Sequence, residues 1–257
     1  MLKQLILRSA TILVLTFCVS APGIAQPAAT AALVRQIQQA HGGAGNLPAD
    51  LTIQGQITDK AGTRPLRIQI KGTDKVRYEA GTGARTVVSI FNGRSGWTGS
   101  PTSLKALPEH AAVHRAAEIP FLDVITEAGN ARFKAFDRGL ERVGQSTLRH
   151  LAIRLSDPKP QQRFLNRALH EDVEVFIDPG TNLIVRSQRL LAADNSMDFR
   201  VPSILDFSDY RVVGGMAIPF RIANTVGTVN SGMYQSTWVI QSVAVNQGIA
   251  DSVFEPR

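Results

Sequence analysis

Cysteine is almost missing from this chain. Its 257 residues hold one, Cys18, and that one lies in an N-terminal stretch with the marks of a leader. With the leader removed, no disulfide, thiol nucleophile or thiolate metal site can form. Such a protein is held together by its core alone. Aromatic residues are few, with two Trp and three Tyr. Lys and Arg never form a run of five or six, so no basic stripe marks a nucleic-acid groove. No apolar stretch is long enough for a comfortable membrane span. Walker-type phosphate loops are absent. So is a Gly-x-Ser-x-Gly elbow, because Gly93-Arg94-Ser95-Gly96-Trp97 lacks the second glycine position and sits in a hairpin.

What is present begins with the leader. Lys3 and Arg8 precede the apolar run Leu13–Val19, and small residues follow up to Ala25. That order is a secretory signal peptide over residues 1–25, with cleavage expected after Ala25 and a periplasmic destination. The sequence Leu15-Thr16-Phe17-Cys18 superficially resembles a lipoprotein box, but Phe17 is bulky where a small residue is wanted. Of 28 basic residues, removing Lys3 and Arg8 leaves 26 against 21 acidic ones, a net of +5 spread along the chain. This is the balance of a solvated surface, with weak attraction to anionic membranes as the alternative.

Periodicity divides the remainder. Leu33, Val34, Ile37 and Ala40 recur at helical spacing, predicting a helix over 28–41 that Gly42-Gly43 ends. From Leu51 the period is two. Leu66, Ile68 and Ile70 alternate with Arg67, Gln69 and Lys71, and Asp59–Thr63 reads as the turn of a hairpin. Val76–Glu79, Thr86–Phe91 and the short strand with Trp97 continue the series. Residues 102–128 break it, with helical patterns over Glu109–Ala117 and Ile119–Ala128. Strands are expected again at 132–137, 140–143 and 151–155, with a short helix over Gln161–Ala168. A long antiparallel run then follows from Val173 to Val245. No low-complexity linker interrupts residues 26–257, which predicts one domain of about ten strands, mainly β with inserted helices. A sheet this wide, apolar on one face, must bury that face. Curling around the inserted helices does so, and leaves an apolar hollow suited to an apolar ligand.

His110, His114 and Glu118 are spaced four apart and would share a helix face. That spacing can seat zinc, but Ala111 stands where the catalytic zinc motif needs glutamate. A solvated helix face is the simpler reading, and no cofactor or metal is expected. His41, His150 and His170 are scattered and point to nothing.

The order of short motifs is more specific than any one of them. Helix-ending His41-Gly42-Gly43 precedes Lys75–Glu79 and Asn92–Trp97. Ile177–Leu183, Phe207–Arg211 and Gly215–Phe220 follow, and Val243–Asn246 with Phe254-Glu255-Pro256 close the chain. This order is similar to that of the LolA/LolB-like outer-membrane lipoprotein-sorting superfamily, over nearly the whole chain after the leader. The resemblance implies a half-open antiparallel β-barrel with a helical lid over an apolar cavity. It implies an exported, non-enzymatic carrier of a lipid or a lipoprotein acyl chain, monomeric, with a possible inner- or outer-membrane partner protein and no nucleic acid. In that reading Phe91 and Trp97 line the cavity wall, and Phe121, Leu122 and Ile125 face cargo from the lid; the plainer reading makes Trp97 core or rim packing and the other three core residues of a lid helix. The other reading of the same scaffold is an envelope sensor or accessory protein that uses the barrel for protein contacts.

Overall fold

Alternation of inward and outward side chains, repeated strand after strand, builds most of the described part of this protein. A computed structural model describes residues 26–43, 48–72, 74–109, 112, 133–155, 173–193, 196–228 and 232–256. The helix α1 spans Gln26–Ala40, and thirteen strands follow among the described residues. In the first half they are β1 (Asp50–Asp59), β2 (Gly62–Lys71), β3 (Lys75–Ala80), β4 (Val87–Asn92), β5 (Ser95–Ser100) and β6 (Ser103–Ala106). In the second half they are β7 (Phe133–Val143), β8 (Ser146–Leu155), β9 (Val173–Ile177), β10 (Ile184–Ala193), β11 (Ser196–Val213), β12 (Met216–Thr228) and β13 (Gly232–Val245).

All thirteen form one sheet, in the order β6-β5-β4-β3-β2-β1-β13-β12-β11-β10-β9-β8-β7. Every neighbour except β1–β13 is also a neighbour in sequence, and every pairing is antiparallel. The first and last strands therefore meet in the middle, and the two free edges, β6 and β7, are consecutive in the chain. The sheet is not closed. It does curl: Thr98 on β5 and Asn224 on β12 line the same cavity of about 250 Å³. Six inter-strand steps of about 4.8 Å would hold them roughly 29 Å apart in a flat sheet.

The inner face carries the main core, with Ile53, Ile57, Leu66, Ile68, Phe91, Ile177, Phe207, Phe220, Ile222 and Trp238 all buried. The helix α1 contributes Val34 and Ile37 to this core and lies against β7. At its end Gly42 (φ +106°) passes so close to β12 that an added Cβ would sit 2.4 Å from the Gly215 carbonyl oxygen. His41 is fastened here, only 1% exposed. The Ile184 N–H donates to its Nε2 (3.2 Å), and its Nδ1 faces the Ala217 carbonyl oxygen at 3.4 Å. This arrangement suits the neutral ring, and burial lowers the His41 pKa from 6.5 to about 4. Tyr210 meets the ring edge-on and donates its hydroxyl to the Ile184 carbonyl.

The outer face has its own cover. Residues after β13 fold back across β3–β5, where Ile249 and Phe254 pack on Val88 and Ile90 with Trp97 and Leu104. The Asp50 carboxylate accepts three consecutive backbone N–H groups of this tail, from Gln247, Gly248 and Ile249, at 2.7–3.1 Å. Lys71 and Lys75 pair with Asp251.

Two expectations need correction. Ser103–Ala106 lies inside the stretch read as a break in the β pattern, yet it is a strand held by pairing with β5 from Trp97 to Ser100. Four residues with one large apolar side chain are too short to show a period. The segments 132–137 and 140–143 are one strand, β7, whose register shifts between Asp137 and Gly139. Gly139 takes φ +90° there, and Asp137 accepts its N–H. That bulge hides the alternation. Residues 1–25, nearly all of the expected lid over 109–128, and 161–168 lie outside the described residues. Among the described residues no helix is long and apolar enough to cross a membrane.

Candidate functional site

Antiparallel register brings the site together. Ile57 on β1 lies opposite Trp238 on β13, which lies opposite Ile222 on β12. One pair nearer the β1–β2 turn, Ser236 faces Asn224. On the other wall Tyr78, Ser89 and Thr98 are successive partners across β3, β4 and β5, with Val87 and Ala80 beside them. Because side chains alternate with a period of two, all of these point to the inner face. They enclose the hollow of about 250 Å³, with Phe91 also in its wall.

The hollow is amphipathic rather than uniformly apolar. Ile57, Ala80, Val87, Phe91 and Trp238 supply its greasy surface. Its polar groups largely satisfy one another. Ser89 and Thr98 share a hydroxyl–hydroxyl hydrogen bond of 3.0 Å. The Trp238 indole N–H donates to Ser236 Oγ at 3.2 Å. Near the turn Arg64 grips Asp59 with two parallel hydrogen bonds of 2.7 and 2.6 Å, and the Tyr234 hydroxyl donates to the same carboxylate at 2.9 Å. The Arg64 guanidinium holds the Asp59 carboxyl well below the ordinary carboxylate range, so it stays ionised. Asn224 is the exception: it is buried, and its Oδ1 has no hydrogen-bond partner. Val87 and Tyr234 are partly exposed and mark the side open to solvent.

The structure separates the residues singled out in the sequence. Phe91 lines the hollow and is buried. Trp97 lies opposite Ile90, so it points to the outer face and packs under the tail. The tryptophan that lines the hollow is Trp238. Phe121, Leu122 and Ile125, together with His110, His114 and Glu118, lie outside the described residues. The connection from β6 is seen only at its start. Leu107 and Ala112 pack into the main core, and an added Cβ on Gly96 would meet the Ala112 Cβ at 2.6 Å.

Sequence reasoning missed Asn224, Tyr234, Ser236 and the Asp59–Arg64 pair. One signal was available. In Ile218, Phe220, Ile222, Asn224 the fourth inward position breaks an apolar series, and a polar residue at a core position asks for a partner.

The geometry is that of an open antiparallel half-barrel with a small ligand-sized hollow, and the described residues hold no group of three or more His, Cys, Asp or Glu placed to bind a metal ion. This is the fold of the LolA superfamily. The chain resembles a DUF1329 family protein from Desulfovibrio piger, with 16% identity over 89% of this chain and 96% of that one, at a TM-score of 0.56. It resembles the LolA superfamily protein NE2245 from Nitrosomonas europaea with 10% identity, 87% and 96% coverage, and a TM-score of 0.54. A domain from Vibrio parahaemolyticus classed with outer membrane lipoprotein-sorting proteins matches with 11% identity, 87% and 95% coverage, and a TM-score of 0.53. No family model matches the sequence, and no curated protein matches it.

Proposed function

We propose that the protein is an exported, non-enzymatic binding protein that seats part of a lipid or lipoprotein acyl chain in the hollow beside Trp238. The observation that carries this reading is the cavity itself, open to solvent between exposed Val87 and Tyr234 and walled by Phe91, Ile57 and Trp238. In this reading residues 1–25 are the removed leader, the mature protein works in the periplasm, and Phe121, Leu122 and Ile125 contact cargo from the connection between β6 and β7.

Volume limits what the hollow can hold. About 250 Å³ is room for about eight water-sized groups at about 30 Å³ each, and a methylene is similar in size. Burying about eight methylenes at about 0.8 kcal/mol each gives about 6 kcal/mol, a Kd of tens of micromolar before ordering costs. The hollow therefore takes one segment of a cargo chain, and the rest lies outside it. Native mass spectrometry of protein purified from its host, with lipid extraction, tests the proposal. Recovery of a bound lipid supports it. Protein that is always empty and leaves fluorescent fatty acids unbound defeats it.

One observation favours the second reading, an envelope sensor or accessory protein. Much of the inner face is already filled by the chain's own side chains, including Val34 and Ile37 of α1. A single stoichiometric protein partner recovered without lipid would select that reading.

A further inference from the structure

We infer that the ligand segment seated in the hollow carries a hydrogen-bond donor, a hydroxyl or an amide N–H, which pairs with the side-chain oxygen of Asn224. This rests on the proposal that the hollow binds an aliphatic ligand, and adds what that ligand must carry. Asn224 lines the hollow and is only 5% exposed. Its Oδ1 is the one buried side-chain oxygen or nitrogen among the described residues that finds no hydrogen-bond partner. An acceptor removed from water and left unpaired is destabilising, and such groups are rare in folded proteins.

No donor of the wall lies within hydrogen-bond reach of this oxygen. The Trp238 N–H is spent on Ser236, the Tyr234 hydroxyl and Arg64 are spent on Asp59, and Ser89 is paired with Thr98. Placed where it is, Asn224 breaks an inward row that is otherwise apolar, Ile218, Phe220 and Ile222. A hydrocarbon filling the hollow would leave the oxygen unsatisfied. A chain bearing a hydroxyl or amide would satisfy it while its methylenes cover Ile57, Phe91 and Trp238. The chemistry required is that of a hydroxylated acyl chain or an N-acyl amide, in preference to a plain hydrocarbon.

The test uses two probes matched in length: decan-1-ol, a donor, and 1-methoxynonane, which only accepts. Binding is read from the fluorescence of Trp238 in full-length mature protein carrying Trp97→Phe, so that the hollow holds the single tryptophan. The expected result is about fivefold tighter binding of the alcohol, one neutral hydrogen bond. In Asn224→Leu that preference should vanish while the ether binds at least as well. Equal binding of the two probes without the Asn224 change, or a preference that survives Asn224→Leu, overturns the inference and leaves the carrier proposal standing. The comparison of alcohol with ether needs no change at Asn224, so it holds even if Asn224→Leu fails to fold. If neither probe binds, the carrier proposal falls and the inference with it.

Discussion

Acidification should loosen this protein through one histidine. His41 joins the end of α1 to β10 and β12, and its ring is buried where it must stay neutral to accept the Ile184 N–H. Its pKa is about 4 in the folded protein, against 6.5 for a free histidine. The unfolded chain therefore binds a proton that the folded one refuses between pH 6.5 and 4. Stability is complete above the higher value and falls as pH drops through this window. Linkage puts the loss at about 2 kcal/mol by pH 5 and about 3 kcal/mol below pH 4. Urea unfolding at pH 7, 6 and 5 measures this directly. The comparison is His41→Gln, which no longer titrates. At pH 7 that variant should be about 1–3 kcal/mol weaker, because buried partners are left unpaired. From pH 7 to 5 it should lose about 2 kcal/mol less than the unmodified protein. Parallel pH profiles for the two proteins would refute the reasoning, since the proton uptake would then belong to other groups.

The other predictions concern the two faces of the sheet. Phe254→Ala should cost about 3–5 kcal/mol in chemical unfolding, because Phe254 is fully buried on β4; a change under 1 kcal/mol would mean the tail is only loosely docked. Trp97→Leu should lower stability yet leave decan-1-ol affinity within about twofold, whereas Trp238→Leu should weaken it about tenfold, by loss of apolar contact area; equal effects in a competition assay would contradict the assignment of faces. Asp59→Asn should cost about 1–3 kcal/mol at pH 7. Since Arg64 holds the Asp59 carboxyl low, its contribution is fully present above the ordinary carboxylate pKa and is lost only in stronger acid, so the variant's deficit should shrink in that range.

Most strand identities were legible because one face of those strands is apolar and the other polar. The runs at 66–71, 173–177 and 218–225 each show the period directly, and β2, β9 and β12 contain them. The side of the sheet on which Trp97 lies was not legible. Val87–Phe91 is nearly continuous in apolar residues, because β4 is covered on both faces, by the core within and by Ile249 and Phe254 without. A two-sided strand has no parity to read, and Trp97 inherits its side from β4 through the turn at Asn92–Ser95. The pairing of β1 with β13 is likewise invisible locally, since Leu51 meets Val245 across most of the chain. Asn224 shows locally as a break in an apolar row and meets Ser236 across the β12–β13 hairpin, but Asp59 joins them only once β1 pairs with β13.

That central junction has a consequence for how the molecule matures. Each other ladder joins strands that follow one another in the chain, whereas β1 must wait for the last strand to arrive. Until then it offers an unprotected row of amides to any passing chain. Assembly should thus stall at this late, long-range step, and a circular permutant cut between β6 and β7, with β13 joined to β1, would make the slow contact a local one.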